Sequence, residues 1–204
     1  MSDGAMTYRS FRHLAAIMLL AGLPLAACSQ QPSAERPPLE GAAIGGPFTL
    51  IDKDGKSVTW DSFKGSWRVV YFGYTFCPDA CPLDVQSLMR GFALFEKSHA
   101  AQAAKVQPIF ITIDPARDTP EVVGQWTAAF SPRLLGLTGS PEQVDKAAKA
   151  FAAYYKKGAE TSGGYLMDHS RIAYLMDPDG KPIAMLPIDQ KPEAVEAELA
   201  RWVK

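Results

Sequence analysis

Two cysteines, Cys77 and Cys81, are the residues of this chain whose type and spacing point most directly to chemistry. A proline follows each of them, Pro78 and Pro82. Proline suits the first turn of a helix, where its missing N–H had no partner, and costs about 3 kcal/mol deeper inside. Pro82 therefore predicts a helix starting just before it, with Asp79 as the N-cap accepting an otherwise unpaired N–H. Cys81 then lies in the first turn and Cys77 immediately ahead of it. Both sulfurs converge on the positive end of the helix, which favours thiolate over thiol. Two such thiolates form a disulfide or bind a soft metal ion. A plain stabilising disulfide is the alternative, but prolines and cysteines this dense between a strand and a helix suit a reactive pair better.

A metal held by two cysteines calls for a third donor. Of the three histidines, His13 lies in the N-terminal leader, and His99 reads as a solvated residue at a helix end. His169 sits between a Gly-, Ser- and Thr-rich loop at Gly158 to Gly164 and a strand, beside Asp168. Two thiolates and one imidazole suit copper and also zinc; zinc usually takes a fourth ligand, whereas copper(I) accepts three soft donors. Asp168 either orients the imidazole or faces solvent.

The elements that must position these side chains follow from the hydrophobic pattern. Val69 to Phe72 reads as a buried strand, and Val85, Leu88, Met89, Phe92 and Phe95 recur at helical spacing in a helix that fades near Ala100. Strand, cysteine-bearing loop and helix is the arrangement by which thioredoxin-like sheets present a reactive pair. Upstream, Phe48 to Ile51 and Ser57 to Trp60 flank Asp52-Lys53-Asp54-Gly55 and predict a hairpin. Downstream come a strand at Val106 to Ile113 and a helix capped by Thr119 with Pro120 at its first position. A short strand at Leu134 to Thr138 and a helix opened by Ser140-Pro141 follow. Strands at Arg171 to Met176 and Ile183 to Pro187 are joined by a turn at Asp177 to Gly180, and Pro192 to Val203 closes the chain as an amphipathic helix. The order predicts an α/β fold, a thioredoxin-like mixed sheet with helices on both faces and an added N-terminal β-hairpin.

The N-terminus reads differently. Arg9, Arg12 and His13 precede an apolar segment from Leu14 to Leu25, of signal-peptide length and short for a bilayer span. Leu25-Ala26-Ala27-Cys28 then resembles a bacterial lipobox. This predicts a lipoprotein signal peptide at 1–27, a lipidated Cys28, a flexible tether over 28–43 and the folded domain over 44–204. An uncleaved signal anchor is the rival and leaves the domain outside the same membrane. The net charge of −1, with no basic stripe, gives no sign of a nucleic-acid partner.

Four separated motifs resemble the Sco/SenC family of copper-binding proteins: Tyr71 to Pro82, Thr112 to Pro120, Gly136 to Gly139, and Asp168-His169-Ser170. The resemblance implies that Cys77, Cys81 and His169 bind copper, as copper(I) and copper(II). It implies a metallochaperone that helps assemble the binuclear copper site of cytochrome c oxidase subunit II. The competing function is a thiol–disulfide oxidoreductase that reduces the cysteines of that site without carrying copper; a thiol peroxidase would leave His169 without a role. The oxidising space outside the cytoplasm predicts that Cys77 and Cys81 form a redox-active disulfide when metal is absent. Expected partners are therefore oxidase subunit II, a thiol reductant and another copper donor, at the periplasmic face of a bacterial membrane.

Overall fold

The buried run ahead of the cysteines is the middle strand of the sheet. A computed structural model of the protein describes residues 35–160, 162 and 164–204. The expected signal peptide, Cys28 and the first part of the tether lie outside the described residues. The hairpin is β1 (Thr49–Ile51) and β2 (Ser57–Thr59), followed by a single 3-10 turn at Trp60–Phe63. Then come β3 (Trp67–Gly73), α1 (Ala80–Ser98), α2 (Ala100–Ala103), β4 (Val106–Thr112), α3 (Pro120–Ala128), β5 (Leu135–Leu137) and α4 (Pro141–Ala150). The chain continues through β6 (Tyr155–Lys157), β7 (Met167–His169), β8 (Ala173–Met176), β9 (Pro182–Leu186) and α5 (Pro192–Trp202).

Five strands form one sheet in the order β5-β4-β3-β8-β9. β3 runs parallel to β4 and antiparallel to β8, so the sheet is mixed, as the order of elements predicted. Side chains alternate across it. Val69 and Tyr71 of β3 join Phe110 and Leu175 beneath α1 and α5, while Val70 and Phe72 join Ile109, Ile111 and Tyr174 on the face covered by α4 and the hairpin. β3 is thus buried on both sides, which is why its apolar run is continuous rather than alternating. Each large apolar side chain buried there contributes about 1.5–3 kcal/mol.

The caps at Thr119 and Ser140 form as expected: Thr119 accepts a bond from the N–H of Val122, and Ser140 forms a capping box with Gln143. Two features depart from the sequence reading. Residues 36–43, expected in the tether, belong to the compact unit that runs from Arg36 to Lys204. The N–H of Leu39 donates to the carbonyl of Ile183 at 3.0 Å, and the Leu39 side chain packs on the core. The second departure is the ribbon of β6 and β7, a separate two-stranded sheet that places His169 on a paired strand rather than at the end of a loop. Among the described residues, no helix is long and apolar enough to cross a membrane.

Candidate metal centre

β3 ends at Gly73, where the chain turns away from the sheet and into the cysteine loop. A Cβ at Gly73 would lie 2.8 Å from the Tyr71 ring and 3.2 Å from Cys81 Sγ, so the missing side chain is what lets the sulfur close over the strand end. α1 begins where Pro82 predicted, but its cap differs. Asp79 occupies the N-cap position with no hydrogen bond from its side chain. The Cys77 sulfur takes that place, accepting the N–H of Cys81 at 3.3 Å. One of the first-turn donors of the helix is therefore spent on a thiol.

The two thiols are unequal. Cys77 is partly exposed and Cys81 fully buried, and neither is in a disulfide. Partial burial opposes ionisation of Cys77. The N–H groups of Cys81 and Asp79, then the Cys81 thiol and the Tyr74 hydroxyl, outweigh it and hold the pKa below the ordinary thiol range. Burial dominates at Cys81 and pushes its pKa well above that range.

His169 completes the group. Its Nε2 lies 3.1 Å from Cys81 Sγ. Its Nδ1 lies 2.9 Å from the carbonyl of Ser170, a contact that requires the proton on Nδ1 and leaves the Nε2 lone pair facing the sulfur. The rings of Tyr71 and Tyr74 meet the imidazole edge-on, at centroid distances of 6.4 and 5.8 Å. Burial lowers the pKa of His169, so the neutral ring, the form that ligates a metal, persists to lower pH. The ligand atoms of Cys77, Cys81 and His169 all lie within 4.8 Å of one another. His99 stands at the end of α1 as expected, partly exposed and stacked on Phe95, and plays no part in the group. Asp168 is exposed and pairs with Lys156 across the ribbon, so it faces away from the imidazole's partners.

Several residues around the site escaped the sequence reading. Asp84 is buried one turn after Cys81 and accepts bonds from the Tyr71 hydroxyl and from two nitrogens of Arg171. Asp118 is buried beneath the cysteine loop, accepting from the backbone and hydroxyl of Thr75 and from the Thr112 hydroxyl. Arg117 bonds Asp114 and the carbonyl of Tyr165 and lies over the rings of Tyr165 and Phe76. For Asp84 a signal was available: a carboxylate adjoining Val85 and four residues before Leu88 lies beside the apolar face of its helix. Arg117 and Asp118 lie within the Thr112 to Pro120 motif, but nothing local gives their contacts with Tyr165 and Thr75, which come from other parts of the chain.

The family model described as SCO1/SenC matches residues 36–204. The chain belongs to the SCO1/SenC family. It is 44% identical over 145 residues to the mitochondrial SCO1 homolog 1 of Arabidopsis thaliana, covering 71% of this chain and 42% of that protein. It is 43% identical over 155 residues to the SenC protein of Rhodobacter capsulatus, covering 76% and 68%. This SCO1/SenC chain therefore spans between two-fifths and about two-thirds of the length of these relatives. The structure of Bradyrhizobium japonicum ScoI with copper bound superposes with a TM-score of 0.71 at 40% identity, over 78% of this chain and 99% of that one. At fold level, the thioredoxin domain of a thiol-disulfide oxidoreductase from Bacteroides vulgatus matches with a TM-score of 0.55 at 15% identity, over 79% and 96%. The fold of this SCO1/SenC member is thioredoxin-like.

Proposed function

We propose that this chain is a copper metallochaperone, binding copper through Cys77, Cys81 and His169 and helping to assemble the binuclear copper site of cytochrome c oxidase subunit II. The observation that carries the reading is the convergence of two thiol sulfurs and an imidazole nitrogen within 4.8 Å. Copper is the cargo, and the donors suit it. Thiolates are the soft ligands that copper(I) selects, and imidazole adds a nitrogen that copper(II) accepts. Cys77, partly exposed and more readily ionised, meets incoming metal or an accepting thiol first. Cys81, fully buried, and His169, oriented by the Ser170 carbonyl, retain it. The copper-bound ScoI relative supports the same assignment.

The N-terminal pattern supports anchoring through a lipidated Cys28 after removal of residues 1–27, with the domain facing the periplasm of a bacterial envelope. Mass spectrometry of the mature protein is expected to find Cys28 at the N-terminus, and an intact 1–27 segment would overturn the anchor. The redox-active Cys77–Cys81 disulfide, the thiol reductant and the second copper donor belong to the same reading.

Titration of the reduced protein with copper(I) tests the central claim. One equivalent is expected to bind, and binding is expected to collapse in Cys77→Ser and Cys81→Ser. Reduced protein that binds no more copper than these variants would refute the carrier reading.

The inequality of the two thiols favours a second reading, thiol–disulfide exchange on the target. Cys77 thiolate attacks one sulfur of a target disulfide, forming a mixed disulfide and releasing the other target sulfur as thiolate. Cys81, once deprotonated, then attacks Cys77 Sγ and releases the second target thiolate. Two electrons pass from the dithiol to the target, leaving a Cys77–Cys81 disulfide for the thiol reductant to reopen. Stoichiometric reduction of the oxidised copper-site cysteines of subunit II by copper-free protein would favour it.

A further inference from the structure

The three donors sit on two separate pieces of structure. Cys77 and Cys81 belong to the junction of β3 and α1, while His169 lies at the end of a three-residue strand in a ribbon that shares no ladder with the main sheet. Hydrogen bonds inside the ribbon, such as Ser170 N–H to the Tyr154 carbonyl at 3.0 Å, move with it and cannot set its distance from the cysteines. The chain rejoins the main sheet only at Ala173, opposite Tyr71. Between these points lies Arg171, whose side chain reaches across to α1. Its Nε donates to Asp84 Oδ2 at 2.8 Å and its Nη2 to Asp84 Oδ1. Asp84 is itself 1% exposed and also accepts the Tyr71 hydroxyl at 2.9 Å.

We propose that Asp84 and Arg171 are a positioning pair that holds His169 against the cysteines, an inference that rests on the copper-carrier reading and deepens it. Asp84 is one turn from Cys81 on one helix, and Arg171 is two residues from His169 on one segment, so the ion pair closes a loop through the Cys81–His169 contact. A two-pronged guanidinium–carboxylate bond is directional, fixing orientation as well as distance. A buried carboxylate without its cation is strongly unfavourable, so the pair stays closed in the folded protein. The outer side of Arg171 is half exposed, so a shorter apolar side chain there opens no cavity in the core. The cysteines need none of this, being placed by the strand–helix junction itself.

Copper binding to the full chain with Arg171→Met tests the pair. Copper(II) affinity is expected to fall about tenfold to a hundredfold, with weakening of the thiolate-to-copper charge-transfer band, as when the residues that orient a metal-binding histidine are lost. Copper(I) affinity is expected to stay close to wild type, because the two sulfurs remain. In the metal-free protein, amide exchange over residues 167–171 is expected to quicken while that of 77–85 does not. In a His169→Ala background, which still binds copper(I), Arg171→Met is expected to leave copper(I) affinity unchanged, since the pair acts through the histidine. An unchanged copper(II) spectrum and affinity in Arg171→Met, or a copper(I) loss in the His169→Ala background, would overturn the proposal. Should Arg171→Met fail to fold, Arg171→Lys carries the same comparison, keeping the charge without the two-pronged bond. A smaller copper(II) loss is expected there, and wild-type behaviour would again overturn the pair. Wild-type protein that binds no copper in either state would instead refute the carrier reading itself.

Discussion

His169 Nε2 and Cys81 Sγ stand 3.1 Å apart across 88 residues of sequence, one on a two-stranded ribbon that shares no ladder with the main sheet and the other on α1. The imidazole presents its lone pair to the sulfur because the Ser170 carbonyl claims the other nitrogen. One side of this contact is a first-turn helix residue and the other the end of a short ribbon. Its chemistry therefore depends on how the ribbon is seated.

Replacing His169 by Ala is expected to separate the two oxidation states of copper. Two sulfurs hold copper(I) as a linear pair, whereas copper(II) needs the nitrogen. The variant should keep copper(I) binding and lose stable copper(II) binding together with its charge-transfer absorption. Spectrophotometric titration in both oxidation states checks this, and a full copper(II) spectrum in the variant would make His169 a structural residue.

Alkylation should distinguish the thiols. Cys77 carries the lowered pKa and partial exposure, and Cys81 the raised pKa and full burial. Limited iodoacetamide treatment of reduced, metal-free protein at neutral pH is expected to label Cys77 well before Cys81. Peptide mass spectrometry reads the order directly, and equal rates would contradict the asymmetry.

Gly73→Ala is expected to destabilise the protein by about 1–3 kcal/mol, the usual range for forcing atoms into a packed site. The added Cβ would meet the Tyr71 ring at 2.8 Å and Cys81 Sγ at 3.2 Å. Urea unfolding of the reduced protein measures the loss. Copper(II) affinity should fall with it, because the displaced sulfur is a ligand in the proposed site.

The lowered pKa of His169 sets the sign of a pH effect on the metal-free protein. Burial disfavours the imidazolium, so below the ordinary value of 6.5 the unfolded chain takes up this proton before the folded one does. Stability from this residue is complete above that value and is lost as pH falls through the folded pKa. His169→Gln should therefore lose less stability than wild type between about pH 7.5 and 5, as read from unfolding midpoints. A steeper loss in the variant would mean that the folded protein favours the charged ring.

Much of this architecture was legible in the sequence because it is local. β3 showed itself as a continuous apolar run, since it is buried on both faces, and α1 by apolar residues at helical spacing. Pro82 marked the start of α1, and Thr119 and Ser140 capped the helices where their hydroxyls and following prolines indicated. Cys77 and Cys81 were readable as a pair because a helix start brings residues four apart together. His169 was singled out by the scarcity of other donors, not by any local pattern.

Tertiary structure decided the rest, where the partners are distant in the chain or the path of a loop selects between near neighbours. β6 has three residues, two of them exposed lysines, too few to show a period, and only its pairing with β7 makes His169 a strand residue. Asp79 has the composition of an N-cap, yet the Cys77 sulfur accepts the bond, a competition that depends on the path of the loop after Gly73. Asp84 finds Arg171 across 87 residues and Thr75 finds Asp118 across 43. Residue type and short-range spacing determined which atoms of this chain are able to ligate; the burial and hydrogen bonds that only folding creates decided which thiol ionises first and which imidazole nitrogen faces the other.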